Sequence, residues 1–243
     1  MKMTAEELLQ RYEKGERDFR GVDLRNINIA MGYAEELIEL YQPENKSWLG
    51  GSQLGDIDLS HANLEFANLE GAELSDANLQ ETNFRSATLR KVIFYDSNLK
   101  DADFTNADLK GAQLSDANLQ GANFKDANLS EASLCSTDLE GANFAGANLY
   151  GFDLYATNLK DNNFGGANLA GANLEATTFE RANMAFANLI GAINVHIKDS
   201  ILQNTIMPDG SIVSSSGMNR EEIGLFTYKY PRNLYLCDIF TDS

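Results

Sequence analysis

The sequence predicts an all-β solenoid, and three regularities carry that prediction. Between residues 83 and 164, Leu or Phe stands at every fifth position. A small residue, most often alanine, stands two positions before most of them. Phenylalanines also recur at intervals of twenty residues: Phe84, Phe104, Phe124, Phe144 and Phe164. A five-residue unit that repeats identically after twenty residues indicates a coil with four sides.

The period of five excludes a single straight helix or strand as the explanation. Apolar residues recur about every 3.6 positions on one face of an α-helix and every second position on one face of a strand. A coil that turns a corner every five residues returns each Leu or Phe to its interior, and coils stacked ~4.8 Å apart pair their backbones. We therefore expect the five phenylalanines to be core residues, stacked face over face along one wall.

The unit reads Ala, then Asn or Asp, then Leu or Phe, as in Ala62-Asn63-Leu64 and Ala122-Asn123-Phe124. Leu, Phe or Met fills its third position without a break from Leu54 to Leu189, which at five residues a unit makes 28 units. This pattern closely resembles the pentapeptide-repeat proteins. The resemblance implies a right-handed quadrilateral β-helix, here of about eight coils of four pentapeptides. Residues 12–19 and 205–212 are also similar to the ends of cyanobacterial members, including one linked to heterocyst differentiation.

The segments on either side of the repeats predict two caps. Residues 1–18 contain an amphipathic helix that begins with a capping-box pattern at Thr4 and Glu7. We expect it to cover the first coil, because the end of a solenoid exposes apolar residues and unpaired strand edges. Residues 19–194 form the β-helix. Residues 195–243 form a C-terminal cap or tail, which folds over the last coil or pairs with another chain.

Residues 30–50 interrupt the repeats and show helical spacing of apolar residues, followed by Pro43. We expect a short helical insertion in the first coil, from which Tyr41 and Trp48 project. Loops on rigid scaffolds often carry recognition, so this insertion is one candidate interaction surface. The alternative is that its apolar face only covers the first coil.

The outward rows of the solenoid carry polar residues with two different roles. We expect asparagines such as Asn123 and Asn143 to bond neighbouring backbone, and the glycines that precede alanines to form corners. One row is acidic and consists of Asp56, Asp76, Asp96 and Asp116, which are twenty residues apart. Their carboxylates either bond the amides of their own turns, mimic the phosphates of a nucleic acid, or collect a divalent cation.

Two outward tyrosines, Tyr150 and Tyr155, are close together in the sequence and form a further candidate surface for a partner. Phe152 stands between them at a position where alanine is usual. We expect Phe152 to point inward and to disturb the local packing without forming a site.

Composition and charge exclude several classes of function. A net charge of −17 argues against direct binding of nucleic acid or of an anionic membrane. The sequence has no apolar run long enough to span a membrane and begins without a signal peptide, so we expect a soluble, cytoplasmic protein. It shows no zinc spacing, no phosphate-binding loop and no nucleophile with a base, so we expect no enzyme, no metal and no cofactor. Cys135 and Cys237 are too few to indicate a disulfide framework.

Two functions remain open. The first is a rigid scaffold for an unknown protein partner, with a regulatory role in a cyanobacterium; it would be a monomer, or a dimer joined through the C-terminal tail. The second is implied by the family resemblance: some pentapeptide-repeat proteins inhibit or protect DNA gyrase by presenting an acidic rod that resembles a DNA duplex. Residues 52–192 contain twenty Asp and Glu against eight Lys and Arg. Because a duplex carries a much denser charge, the sequence favours the scaffold.

Overall fold

The computed structural model describes residues 1–27, 53–134, 136–155, 157–197 and 200–213. The predicted insertion at 30–50, with Tyr41 and Trp48, lies outside these residues, as do Cys135, Cys237 and the chain after residue 213. The repeats wind into a four-sided column. Wall residues pair in parallel with the residue twenty positions later, from Gln53 with Glu73 to Asn173 with Ile193.

Each wall is built around a column of buried central residues. We number the walls after their first members, which are Leu54, Leu59, Leu64 and Leu69 for walls 1 to 4. All 28 central residues from Leu54 to Leu189 are at most 1% exposed. The small residues two positions earlier also face the interior, and Ala62, for example, is 1% exposed. The prediction that every fifth residue points inward is confirmed.

The predicted phenylalanine stack runs through wall 3. Ring centroids from Phe84 to Phe164 are 4.8–5.0 Å apart, and successive rings are within 5° of parallel. Phe94 of wall 1 meets two of these rings edge-on, at 6.0 and 6.3 Å. The centroid distance also measures the rise from one coil to the next, and it agrees with the spacing of strands in a sheet.

Backbone hydrogen bonds join the coils in a regular scheme. In wall 2, Leu59 N donates to Asn78 O at 2.8 Å, and Asn78 N donates to Ile57 O at 2.9 Å. Each unit then turns a corner through a residue with positive φ, for example Gly121 at +70°. Glycine reaches this left-handed region at no steric cost, which confirms the predicted role of the glycines.

The N-terminal helix, α1, extends from Ala5 to Glu13. Both hydrogen bonds of the capping box between Thr4 and Glu7 are present. Leu8 is fully buried, and the Tyr12 hydroxyl donates to Gly55 O of the first complete coil at 2.7 Å. Lys2, just before the helix, pairs in parallel with Asp23. The helix therefore packs against the N-terminal end of the column.

The C-terminal end of the column extends beyond residue 194, where the five-residue pattern stops. Ile201 pairs with Asn183 on wall 3, and Ile206 pairs with Asn188 on wall 4. The two members of each pair are eighteen residues apart in the sequence, where the pairs between residues 53 and 193 are twenty apart, so the last coil is two residues shorter than the others. Strand β1, Thr205–Ile206, then pairs antiparallel with strand β2, Ile212–Val213. The five-residue spacing of apolar residues does not predict this coil, because the coil is two residues shorter than the others.

Wall 2 is open at one level among the described residues. Asp138 pairs with Asn118 below and Asn158 pairs with Thr178 above, but no bridge or backbone hydrogen bond joins residues 138–141 to residues 158–160. The coil above the gap carries Phe152 and Asn162, each 1% exposed, at inward positions where alanine is usual. Phe152 thus points inward, as predicted.

Candidate interaction surface

Asparagine side chains form ladders on the outer faces of walls 3 and 4. Asn143 Nδ2 donates to Asn123 Oδ1 in the coil below, and Asn163 Nδ2 donates to Asn143 Oδ1, both at 2.9 Å. The Asn143 oxygen also accepts the amide of Ala145 at 3.2 Å. The predicted bond to the backbone is confirmed. The ladder between side chains was not predicted, although asparagines at intervals of twenty residues contain the signal for it.

The acidic row lies at corners of the column. Asp56, Asp76, Asp96 and Asp116 all have positive φ, between 53° and 59°. Aspartate tolerates this region better than most residues, which gives a conformational reason for its presence there. Among the described residues, none of the four carboxylates accepts a hydrogen bond or forms an ion pair. The first of the three alternatives, bonds to the amides of their own turns, is therefore not observed. The wall residue before the corner accepts that amide instead, as where Ser75 N donates to Glu73 Oε1 at 2.9 Å.

The two tyrosines of the predicted surface lie on opposite edges of wall 1. Tyr150 follows wall 4 and is 62% exposed, whereas Tyr155 follows wall 1 and is 48% exposed. The structure thus leaves both side chains accessible but directs them to different corners. Among the described residues, Tyr150 shares its corner row with a second large exposed apolar residue, Ile190.

The surface around Tyr150 has no charged residue over three coils. It consists of wall 4 and its two corners in residues 145–151, 165–171 and 185–191, and we call it the uncharged surface. The same stretches of the four coils below, 65–71, 85–91, 105–111 and 125–131, contain two or three charged residues each. The same trend holds over whole segments, where it is weaker: residues 52–140 hold sixteen acidic and six basic residues, and residues 141–192 hold four and two.

Large apolar side chains project from the uncharged surface. Phe186 is 58% exposed at the corner between walls 3 and 4, and Ile190 is 48% exposed in the same row as Tyr150. Ala170 lies between Tyr150 and Ile190 in that row, and glycines follow all three residues. Two further exposed residues, Ile201 and Ile212, lie at the C-terminal end of the column. An exposed apolar group of this kind, bordered by polar residues, is typical of an interaction site.

The remaining outer face carries ion pairs typical of a solvated surface. Arg20 binds Asp18 through two nitrogens, and its hydrogen bonds lower the pKa of Asp18 to about 2. At the other end, the Arg181 guanidinium holds the pKa of Asp161 below its usual value. Arg181 and Asp161 line a surface cleft of about 300 Å³ beside the opening in wall 2. The cleft contains both signs of charge, and both members of this pair are about half exposed.

The described residues contain no group of three or more His, Cys, Asp or Glu side chains that could bind a metal. His61 forms an exposed pair with Glu81, with Nδ1 and Oε2 3.2 Å apart, and His196 lies near the other end of the column. In the same part of the chain, no helix has the length and apolar character needed to cross a membrane.

Family models match two segments of this regular column. Residues 67–144 match the pentapeptide repeat region, and residues 157–193 match eight copies of the pentapeptide repeat. This chain is a pentapeptide-repeat protein. Neither model describes a catalytic domain. The segment between the two matches, residues 145–156, contains Phe152.

Solved structures of other pentapeptide-repeat proteins are similar to this one. HetL, a protein involved in heterocyst differentiation regulation from the cyanobacterium Nostoc sp. strain PCC 7120, is 26% identical over 87% of this chain and 100% of its own, with a TM-score of 0.52. Rfr23 from the cyanobacterium Cyanothece 51142 is 26% identical over 57% of this chain and 98% of its own, with a TM-score of 0.39. QnrB1, a plasmid-mediated fluoroquinolone resistance protein, is 23% identical over 63% of this chain and 84% of its own, with a TM-score of 0.45. No curated protein matches the sequence. The likeness to HetL implies that the four-sided β-helix is right-handed.

Proposed function

We propose that this pentapeptide-repeat protein is a non-enzymatic, cytoplasmic scaffold that binds a protein partner through its uncharged surface. The observation that carries the proposal is the loss of every charge from wall 4 and its corners in three successive coils, where Tyr150, Phe186 and Ile190 are exposed. The fold does not need this loss, because the same wall is charged in the four coils below. An uncharged centre with aromatic anchors is what protein interfaces have in common.

A regulatory role in a cyanobacterium is supported by the likeness to HetL, a protein involved in heterocyst differentiation regulation. The insertion at 30–50, with Tyr41 and Trp48, is a second recognition element in this proposal. The C-terminal tail is the segment that would join two copies if the protein is a dimer.

Capture of partners from the native cell tests the proposal through two matched variants. Ala170→Glu places a carboxylate in the middle of the uncharged surface. Ser130→Glu places the same group in the same row of wall 4, two coils lower and outside that surface. We expect a protein that is retained by the wild type and by Ser130→Glu, and lost with Ala170→Glu. If no captured protein distinguishes the two variants, the uncharged surface is not the binding site.

Mimicry of DNA is the second candidate, and the acidic row favours it. The carboxylates of Asp56, Asp76, Asp96 and Asp116 recur with each coil and have no partner among the described residues. However, Arg and Lys residues interrupt the negative charge on this part of the column. Arg85 forms an ion pair with Asp103, and Arg90 forms one with Asp108. We therefore place this function second.

A further inference from the structure

We propose that the partner of the uncharged surface is an amphipathic α-helix that lies along the column axis, with Lys or Arg at the end that points toward the N-terminal coils. This inference rests on the function proposed above and specifies the class of partner. It follows from the spacing of the exposed side chains, the state of the backbone in wall 4, the size of the surface and the charges at its lower border.

The row of Tyr150, Ala170 and Ile190 matches the repeat of an α-helix. Tyr150 and Ile190 are two coils apart, which is about 10 Å at a rise of ~4.8 Å per coil. Seven residues of an α-helix advance about 10.5 Å, so helix positions i and i+7 reach Tyr150 and Ile190 together. Position i+3 or i+4 then lies over Ala170, where the small side chain lets the helix approach closely. Phe186, on the opposite corner, borders the other side of the helix.

A partner strand does not fit this wall. Strand addition needs unpaired backbone groups at the edge of a sheet. Here Leu149 N donates to Asn168 O at 2.8 Å and Asn168 N donates to Ala147 O at 2.9 Å, and the next coil repeats the pattern between Leu169 and Asn188. Because the backbone of these coils is already paired, wall 4 offers only side chains to a partner.

A second copy of this chain does not fit the size of the surface. Three coils at ~4.8 Å and a wall four to six residues wide give roughly 200–300 Å². A stable dimer buries about 800 Å² on each subunit, so this surface alone would not hold two copies together. One face of a short helix covers an area of the size available.

The lower border of the uncharged surface carries one carboxylate at each corner, and Lys125 directly precedes the first of them. Asp126 lies at the corner between walls 3 and 4 and forms no hydrogen bond or ion pair with another described residue. Glu131 lies at the opposite corner; it is 69% exposed and its carboxylate is 3.1 Å from Lys110 Nζ. A helix that extends past the surface toward residues 125–131 reaches Asp126, and a basic residue at that end is attracted to this carboxylate.

Two display libraries of equal size test the inference on the full-length protein. One randomises a single helix face of a three-helix scaffold, and the other randomises one face of a β-hairpin. We expect enrichment from the helical library, with apolar residues at i, i+3 or i+4, and i+7, and with Lys or Arg at one end. Ala170→Glu should weaken these binders about 100-fold, because it buries an unpaired charge. Ser130→Glu should not weaken them, because it adds a carboxylate beside Asp126 and Glu131, where a basic end is attracted. Asp126→Lys should weaken the helical binders that carry Lys or Arg at one end.

Enrichment of hairpins that are lost with Ala170→Glu would overturn the helical partner, and so would a failure of the helical library to give any binder sensitive to Ala170→Glu. These outcomes are distinct from failure of the proposed function, which is decided by capture from the native cell. If a cellular protein is lost with Ala170→Glu while no helical binder is found, the surface is a binding site but its partner is not this helix.

Discussion

Replacing Phe124 by alanine should destabilise the column strongly. Phe124 is fully buried, and its ring is stacked 4.8 Å from Phe104 and 5.0 Å from Phe144. Truncating a buried phenylalanine to alanine costs about 3–5 kcal/mol, through lost burial and the cavity that remains. Phe124→Leu should cost about 1–3 kcal/mol, because leucine fills the same position in every coil of wall 4 and only the two ring contacts, about 0.5–1.5 kcal/mol each, are lost.

Equilibrium unfolding in guanidinium chloride, followed by circular dichroism, measures these changes. Tyr150→Ala is the control, since that side chain is 62% exposed and its loss should change the free energy of unfolding by about 0.5 kcal/mol or less. If Phe124→Ala unfolded together with the wild type while Tyr150→Ala was destabilised, the assignment of inward and outward positions would be wrong.

Three further predictions follow from the backbone and the charges. Gly121→Ala should lower the free energy of unfolding in denaturant by about 1–2 kcal/mol, and the control Gly141→Ala, in the same row, by about 1 kcal/mol. Both sites have positive φ, but of the two only Gly121 would place the added Cβ 2.2 Å from a carboxylate oxygen. Because folding lowers the pKa of Asp18 to about 2, its ionised carboxylate stabilises the fold above pH ~4, and this stabilisation is lost as the pH falls toward 2. Asp18→Asn should flatten that part of the pH profile of unfolding, and an unchanged profile would contradict it. The Leu139 amide, at the opening in wall 2, should exchange hydrogen faster than the Leu119 amide; equal protection would show that the wall is closed in solution.

The fold was predictable from the sequence because its signal is periodic. A residue pattern that repeats every five and every twenty positions places Phe84 or Phe124 inside without any knowledge of propensities. The last coil was not predictable in this way, because its members Ile201 and Ile206 follow at a distance of eighteen residues. The opening in wall 2 lies next to a coil with two bulky inward residues, Phe152 and Asn162, and the sequence indicated only the first as unusual.

The candidate surface was only half predictable. Tyr150 could be recognised as an outward aromatic residue. We grouped it with Tyr155 because the two are close in the sequence, but in the column they lie at different corners. The partners of Tyr150 on the same side, Phe186 and Ile190, lie 36 and 40 residues further along the chain. Only when the segments are aligned at intervals of twenty residues does the absence of charge from wall 4 become visible. The insertion at 30–50 lies outside the described residues, so its role stays a prediction.

An assay of DNA gyrase supercoiling tests most directly whether the uncharged surface, and not the acidic row, carries the function. Wild-type protein is added up to micromolar concentration, beside Ala170→Glu and the double variant Asp76→Asn with Asp96→Asn. We expect no inhibition of gyrase by any of the three proteins. Inhibition by the wild type and by Ala170→Glu that weakened with salt and with the double variant would contradict it, because the carboxylates would then be the active group.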